Sequence, residues 1–200
     1  MKNRMRGKRG RSGAVIIEFV LAAALIYTPL ILGTMVIGMN LIRAIQVTQV
    51  NRDAGHMFAR GIDFSVPANQ AILQHLAGGL DLTPSGKSVV ILSQIMRVDC
   101  PGPPACANHG VAVFVRQIVL GNGSLRASRY GTPPTGSGGM VPNYMTNPAA
   151  RTSNFHPAVM DMQMGETAYV AEAFYNSTEL NLPGFMTNTG VAPCLCCPLC

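Results

Sequence analysis

A 29-residue apolar run near the N-terminus, from Ala14 to Ile42, constrains this chain more than any other feature. A helix needs about 20 apolar residues to cross the hydrocarbon layer of a membrane, so the run is long enough to cross and continue. Glu18 is its only charged residue, and Pro29 is expected to kink or loosen the helix near its middle. Charged residues make up 12% of the chain, about half of the usual share in soluble globular domains. The run therefore predicts a membrane-spanning helix.

The basic residues are concentrated in a leader, residues 1–13, that precedes the apolar run. It holds six of the fifteen Lys and Arg residues and no acid, and the nine basic residues elsewhere equal the nine acidic ones. A neutral body offers no basic face to nucleic acid, so we expect no nucleic-acid partner. A disordered nucleic-acid arm is the alternative for the leader, but cations beside an apolar run are typical of a topology signal. We expect a cytoplasmic N-terminus, with the bulk of the chain across the membrane.

A cleaved secretory signal is the first alternative for the apolar run. Its apolar core would have about 7–15 residues and would end at a small-x-small cleavage site, whereas the run here is about twice as long. The segment that follows it, IRAIQVTQV (42–50), contains no such site. We therefore expect the apolar helix to remain in the mature protein.

The acid inside the apolar run, Glu18, needs an explanation. A carboxylate costs a few kcal/mol in the middle of a membrane and less near its surface. In one interpretation, Glu18 lies close enough to the cytoplasmic face to stay hydrated. In the other it pairs with a cation, and since the run contains none, the cation must come from elsewhere. A new α-amino group would serve if the chain were cut nearby.

The residues around this acid, RGRSG (9–13) followed by AVIIEF (14–19), resemble the processing site of type IV prepilins. In that family a membrane-embedded aspartyl peptidase cuts after a Gly on the cytoplasmic side of the apolar run, and the mature chain keeps a Glu as its fifth residue. The resemblance implies a cut between Gly13 and Ala14, with Glu18 followed by Phe19 in the mature helix. It further implies that the Glu18 carboxylate pairs with the Ala14 amino group of a neighbouring subunit and sets the register between packed helices.

The wider sequence is similar to the TadE-like pseudopilins of tight-adherence (Flp-type) secretion systems. These begin with a basic leader, a Gly and an apolar run that contains Pro, and continue into an Ala- and Arg-rich stretch, here NRDAGHMFARG (51–61). The segment GETAYVAEAFYNSTELNLPG (165–184) is similar to their closing strand, with its E-x-F-Y. The first mature residue would be Ala14 rather than a bulky aromatic residue, which fits a minor pseudopilin.

This resemblance implies a structural role without catalysis. The chain would be a minor pseudopilin of the bacterial inner membrane, with its bulk periplasmic or extracellular or within a pilus or pseudopilus. Its expected partners are the prepilin peptidase, other pilin subunits, the inner-membrane assembly platform and membrane lipid. We expect no catalytic residues, no cofactor and no metal. Two alternatives remain open: an uncleaved membrane-anchored binding module, and a metal- or redox-handling protein that uses its terminal cysteines.

The helical pattern continues beyond the apolar run. Apolar residues recur at the spacing of one helix face, namely Val47, Val50, Ala54, Met57 and Phe58. We therefore predict a single helix from about 14 to 60, about 70 Å long at 1.5 Å per residue. Its outer half presents an apolar stripe that a small sheet can cover.

The rest of the chain predicts that sheet. Segments 87–98, 110–120 and 166–176 are rich in β-branched and aromatic residues, and the first two form a hairpin across 99–109. A short second helix is predicted at about 68–78. The fold class is therefore α+β, a long N-terminal helix packed on a small antiparallel sheet, and the resemblance implies that it is pilin-like.

Five segments follow from these patterns. They are the leader 1–13, the transmembrane helix 14–42, its amphipathic continuation 43–62, an extracytoplasmic α+β domain 63–184 and a cysteine-rich tail 185–200. Within the domain, the stretch 121–165 is dense in Gly and Pro and predicts a long loop. Loops of this length are usually functional or disordered, and a partner-contacting surface and simple disorder both remain open.

Two cysteines, Cys100 and Cys106, lie close together in DCPGPPAC. In an oxidising compartment they predict a disulfide, which closes a short ring and stabilises the fold by roughly 2 kcal/mol. A metal half-site is the alternative, but no matching pair of histidines lies nearby. The end of the chain, PCLCCPLC (193–200), suits soft metals, cross-links to other chains or no function, and the sequence does not choose among them.

A motif for catalysis is missing. The segment TPSGKS (83–88) resembles part of a phosphate-binding loop, but Asp81 stands in place of the first Gly, and the segment precedes a predicted strand rather than a helix. The four histidines are scattered singly, without the partners of a catalytic triad.

Overall fold

The structure is a computed structural model in which the chain divides into two compact units, Met1–Arg43 and Ala44–Cys200. Each unit is described by itself. Only the backbone is described for residues 11, 12 and 189–196. The described residues are 11–100, 106–155, 157, 159–176 and 189–196.

Helix α1, Arg11–Ala59, confirms the predicted long N-terminal helix, and Pro29 lies inside it. In the first unit its apolar side chains are exposed at consecutive positions, for example Val15, Ile16 and Ile17, so they cover every side of the helix. A helix that is apolar all round suits the interior of a membrane or a large core. By length and composition it is a candidate membrane anchor.

The second part of α1, from Ala44 onward, is amphipathic as predicted. Val47, Val50, Ala54 and Phe58 are buried, and Met57 packs against the same cluster. The helix then ends in a Schellman motif. In it, Gly61 adopts a positive φ, its N–H donates to the Phe58 carbonyl, and the Ile62 N–H donates to the Met57 carbonyl.

A second helix, α2, spans Pro67–Leu76 and confirms the short helix predicted at about 68–78. Proline at the first helical position suits a helix start, because its missing N–H would have no intrahelical partner there. Leu73 faces inward and is fully buried in the cluster that also contains the inner face of α1. Two further single turns of 3₁₀-helix, Ser137–Gly139 and Pro148–Ala150, lie in the long loop.

Four antiparallel strands form one sheet in the order β2-β1-β3-β4. Their bounds are β1 Ser88–Arg97, β2 Ala112–Gly121, β3 Thr167–Asn176 and β4 Thr189–Cys196. The first three confirm the predicted strands and the hairpin between the first two. The sequence analysis does not assign β4, which pairs with β3 at the edge of the sheet.

Both faces of the sheet are covered. Val90 and Leu92 of β1 pack in the cluster formed by the outer half of α1 and by α2. On the opposite face, Phe114 of β2 and Val170 of β3 pack against residues of the stretch 121–165, namely Tyr130, Val141, Ala150, Phe155 and Met162. The predicted α+β layout is therefore present, and the long Gly- and Pro-rich loop forms its third layer.

Candidate functional site

The four residues that the resemblance marks for processing and assembly all lie in the first turns of α1. Gly13, Ala14, Glu18 and Phe19 are exposed, and Phe19 exposes 72% of its surface. A side chain at Gly13 would meet no other atom within 4 Å. These residues are therefore not covered by the described part of the chain.

The bond between Gly13 and Ala14 lies in the first turn of α1, which begins at Arg11. The first four N–H groups of a helix have no intrahelical acceptor, so this turn is the easiest to unwind. Glycine lowers helix stability further, by about 1 kcal/mol relative to alanine. A peptidase that binds its substrate in an extended conformation could therefore unwind this turn at little cost in free energy.

Ala14 and Glu18 are four positions apart and lie on one face of α1, one turn from each other. If the chain began at Ala14, its amino group would stand at the positive end of the helix dipole, with an acid in the next turn. The next basic residue along the run after Glu18 is Arg43, which is 25 residues away. A separation of that size is about 38 Å of helix, far beyond the reach of an ion pair.

The predicted disulfide between Cys100 and Cys106 is present, with 6.1 Å between the Cα atoms. The Cys100 N–H donates to Nδ1 of His109 over 3.3 Å, and both cysteines pack against the cluster under the long loop. The bridge closes the connection between β1 and β2 and fixes it to the fold.

The strongest polar feature of the body is a buried carboxylate, Glu172 of β3, which is 1% exposed. Its Oε2 accepts a hydrogen bond from Ser128 Oγ over 2.5 Å, and its Oε1 accepts one from the Arg129 N–H over 2.9 Å. Since a buried acid is tolerated only with such donors, the contact fastens the loop to the sheet. The pKa of the neighbouring Tyr130 hydroxyl is raised, first by burial and then by the Glu172 charge.

An ion pair fastens the loop at a second place. Arg116 of β2 donates to the Asp63 carboxylate from Nη2 and to the Gly138 carbonyl from Nε, the latter over 2.8 Å. Asp63 also accepts from the N–H and the hydroxyl of Ser65, at 2.9 and 2.8 Å. These Ser65 hydrogen bonds, followed by Arg116, lower the pKa of the Asp63 carboxyl.

A third fastening point is Asn108, which is fully buried. Its side-chain amide donates to the Tyr144 and Asn147 carbonyls, at 2.7 and 2.8 Å. Its Oδ1 accepts from Arg151 Nε over 2.8 Å. The residues that follow the disulfide are thereby joined to the far end of the loop.

These three fastening points were missed by the sequence analysis. Glu172 was quoted only as part of E-x-F-Y, although an acid between Ala171 and Ala173 in an apolar strand is itself a signal of a buried contact. Asp63 and Asn108 carry no comparable signal, because their partners are far away in the sequence.

The segment TPSGKS (83–88) forms a turn that leads into β1. Asp81 Oδ1 accepts from the N–H and the hydroxyl of Thr83, at 3.0 and 2.7 Å, and the Ser88 N–H donates to the Asp81 carbonyl. The Thr83 hydrogen bonds lower the pKa of the Asp81 carboxyl. Gly86 packs so closely on Asp81 that a Cβ would not fit. Asp81 therefore holds this turn together. A phosphate-binding loop would instead present its backbone amides to a ligand.

Within the described ranges, no group of three His, Cys, Asp or Glu side chains is placed to hold a metal ion. The leader residues 1–10 and the side chains of the terminal cysteines lie outside the described part of the chain. No family model, curated protein or solved structure matches this chain.

Proposed function

We propose that the chain is a pilin-like structural subunit, a minor pseudopilin of a type IV pilus, tight-adherence or secretion apparatus in the bacterial inner membrane. The observation that carries the proposal is the spacing of Gly13 and Glu18 at the start of a helix whose apolar side chains are exposed on every side. A helix with that surface needs lipid or other helices around it. A filament assembled from membrane-anchored subunits supplies both.

In this proposal a prepilin peptidase cuts after Gly13, on the cytoplasmic face of the membrane. The basic leader keeps that end of the chain in the cytoplasm. The exposed first turn and the glycine without a side chain support access to the bond. Cleavage removes the leader and leaves the apolar helix in the membrane.

Assembly then depends on Glu18. Its carboxylate pairs with the amino group of Ala14 on a neighbouring subunit. Each of these charges is costly in hydrocarbon by itself, and pairing removes a large part of both costs. Because the pair forms only at one relative height, it sets the register between adjacent helices, and Phe19 packs beside it.

The body is presented on the far side of the membrane to other subunits and to the assembly platform. The Cys100–Cys106 disulfide supports an oxidising location such as the periplasm or the cell surface.

Mapping of the mature N-terminus by mass spectrometry tests the proposal. The chain would be expressed in a host with and without its prepilin peptidase. We expect a start at Ala14 only with the peptidase, and no cleavage of Gly13→Leu. Gly33→Leu is the matched control and should be cut normally, since a side chain at Gly33 also meets no atom within 4 Å. An intact Met1 in both hosts would overturn the proposal and favour an uncleaved membrane-anchored binding module.

A further inference from the structure

A polar groove opens between α1 and the end of α2, within the second unit. Its volume is about 520 Å³. The α1 side is lined by Gln46, Gln49, Arg52, Asp53 and His56, and the α2 side by Leu76 and the two residues after it. The groove therefore combines amide and charged groups with an apolar edge.

An apolar helix surface adjoins this groove. Ile72 and Leu76 of α2 expose 51% and 50% of their surface, and their four-residue spacing puts them on one face of the helix. Leu73, which lies between them in the sequence, faces the core and is buried. Apart from His75, α2 has no ionisable side chain. Since Leu76 belongs to both, the apolar surface and the groove are continuous, and no described residue buries Ile72 or Leu76.

A protein partner is a poor fit for so small an apolar surface. A stable protein interface involves about 20–30 residues on each side, whereas this surface offers two large aliphatic side chains. A weak contact does suffice when its partner is held nearby, because tethering raises the effective concentration.

The chain itself supplies such a tether to a membrane. Gln46 follows Ile42, the last residue of the apolar run, by four residues. Four residues extend at most about 14 Å, whatever their conformation. Ile45, which is 50% exposed, adds an apolar side chain beside the groove residues of α1. The near end of the groove, at Gln46, is thus held by chain length close to the end of the run, and Leu76 of α2 lines the same groove.

We propose that Ile72, Leu76 and the adjoining polar groove form a contact surface for the phospholipid bilayer. The two aliphatic side chains enter the boundary between headgroups and acyl chains, where a helix with one apolar face is stable. The amides of Gln46 and Gln49 and the guanidinium of Arg52 receive the phosphate headgroups. This contact restricts rotation of the body about its anchor. It rests on the membrane anchoring in the proposed function and does not depend on cleavage after Gly13.

Tryptophan fluorescence tests the contact directly, because the chain contains no Trp. Full-length Leu76→Trp would be reconstituted in phosphatidylcholine and phosphatidylglycerol vesicles with and without brominated acyl chains, which quench nearby Trp. Ile72→Trp provides a second position on the same surface. Leu30→Trp reports on the apolar run. Met140→Trp is the matched control, since Met140 is 46% exposed and lies outside α1 and α2, beside the edge strand β2.

We expect bromination to lower the emission of Leu76→Trp and Ile72→Trp about twofold, as for side chains at the acyl boundary. Leu30→Trp should be quenched more strongly, and Met140→Trp should be unaffected. Quenching of Leu30→Trp alone would overturn this inference and leave the anchor intact, whereas no quenching at any position would overturn both. If the emission of Leu76→Trp shifts with protein concentration but does not change with bromination, a second copy of the chain covers this surface. That result would overturn the lipid contact. Mass spectrometry of the same samples reports cleavage separately.

Discussion

Two acids in apolar segments, Glu18 of α1 and Glu172 of β3, are held in opposite ways. Glu172 is buried and accepts hydrogen bonds from Ser128 and from the Arg129 N–H. Glu18 is exposed, and no residue in the described part of the chain donates to it. The comparison separates two roles: Glu172 is satisfied by its own chain and belongs to the fold, whereas in the proposed function Glu18 pairs with a donor from another subunit.

Other polar side chains in the body and in the apolar run can be compared in the same way. In the body, buried Asn108 finds both a donor and acceptors within the chain, and Arg116 donates to the Gly138 carbonyl and the Asp63 carboxylate. In the apolar run, the hydroxyl of Thr34 donates to the Ile31 carbonyl and is satisfied by its own helix. Glu18 differs from Thr34 because an ionised carboxylate has no proton to donate to a carbonyl of its own helix, and the proposed function supplies its donor as the amino group of another subunit.

The largest expected effect is loss of assembly in Glu18→Ala. The substitution removes a charge that is costly in lipid, so insertion and cleavage should proceed, but register between neighbouring helices would no longer be set. We expect the mature variant to be absent from isolated filaments or pseudopilin complexes, as measured by co-purification with its neighbours. The body should keep the thermal stability of the wild type.

Glu166→Ala is the matched control, because the Glu166 carboxylate accepts a hydrogen bond from the Gln163 N–H at the body surface. This control should assemble normally. Assembly of Glu18→Ala at the wild-type level would refute the pairing of Glu18 with the amino group of Ala14.

The second largest effect is expected on the stability of the body, which Glu18→Ala leaves unchanged. Glu172→Ala should be cleaved and anchored normally but should destabilise the body by about 3 kcal/mol, since hydrogen bonds to a charged group contribute roughly 1.5–3 kcal/mol each and buried donors are left unpaired. Chemical denaturation of the purified body in detergent measures this free energy of unfolding. Glu172→Gln keeps one acceptor and can donate to Ser128, so it should lose about half as much. Equal stability of Glu172→Ala and the wild type would show that the loop does not depend on this contact.

Sequence reasoning reached the elements of this fold but not the contacts that join them. The inner face of α1 follows from helical periodicity, and β1, β2 and β3 follow from their β-branched and aromatic residues, because both signals are local. The partners of Glu172 lie 43 and 44 residues away, and no local pattern encodes such a pairing. The strand β4 escaped prediction because proline and four cysteines dominate the segment in which it ends.

The candidate site divides in the same way. Gly13 and Glu18 enter the proposal through a short linear motif, which a sequence displays directly. The disulfide was found because its two cysteines are six positions apart. The exposed face of α2 was not found, since exposure depends on which side of a helix the fold covers.

The third prediction concerns the disulfide. Replacing both cysteines, Cys100→Ser with Cys106→Ser, should lower the free energy of unfolding of the body by about 2 kcal/mol, because the unfolded chain loses the constraint of a short closed ring. Reductant should lower the melting temperature of the wild type to that of the double variant and leave the variant unchanged. A wild type that is insensitive to reductant under conditions where both thiols become titratable would contradict this expectation. Cleavage after Gly13 should be equal in both chains.

The smallest effect is the acid sensitivity contributed by Asp63. Because its carboxyl has a lower pKa in the folded chain than the ordinary value of 3.8, its contribution to stability is complete above that value and is lost as the pH falls through the folded-state pKa. The difference in melting temperature between the wild type and Asp63→Asn should therefore be constant at mildly acidic pH and shrink below about pH 4. Arg116→Gln should retain part of this pH dependence, since the hydrogen bonds from Ser65 remain. A difference that grows as the pH falls would mean that Asp63 is held in its protonated form, and the ion pair with Arg116 would then contribute nothing to fastening the loop.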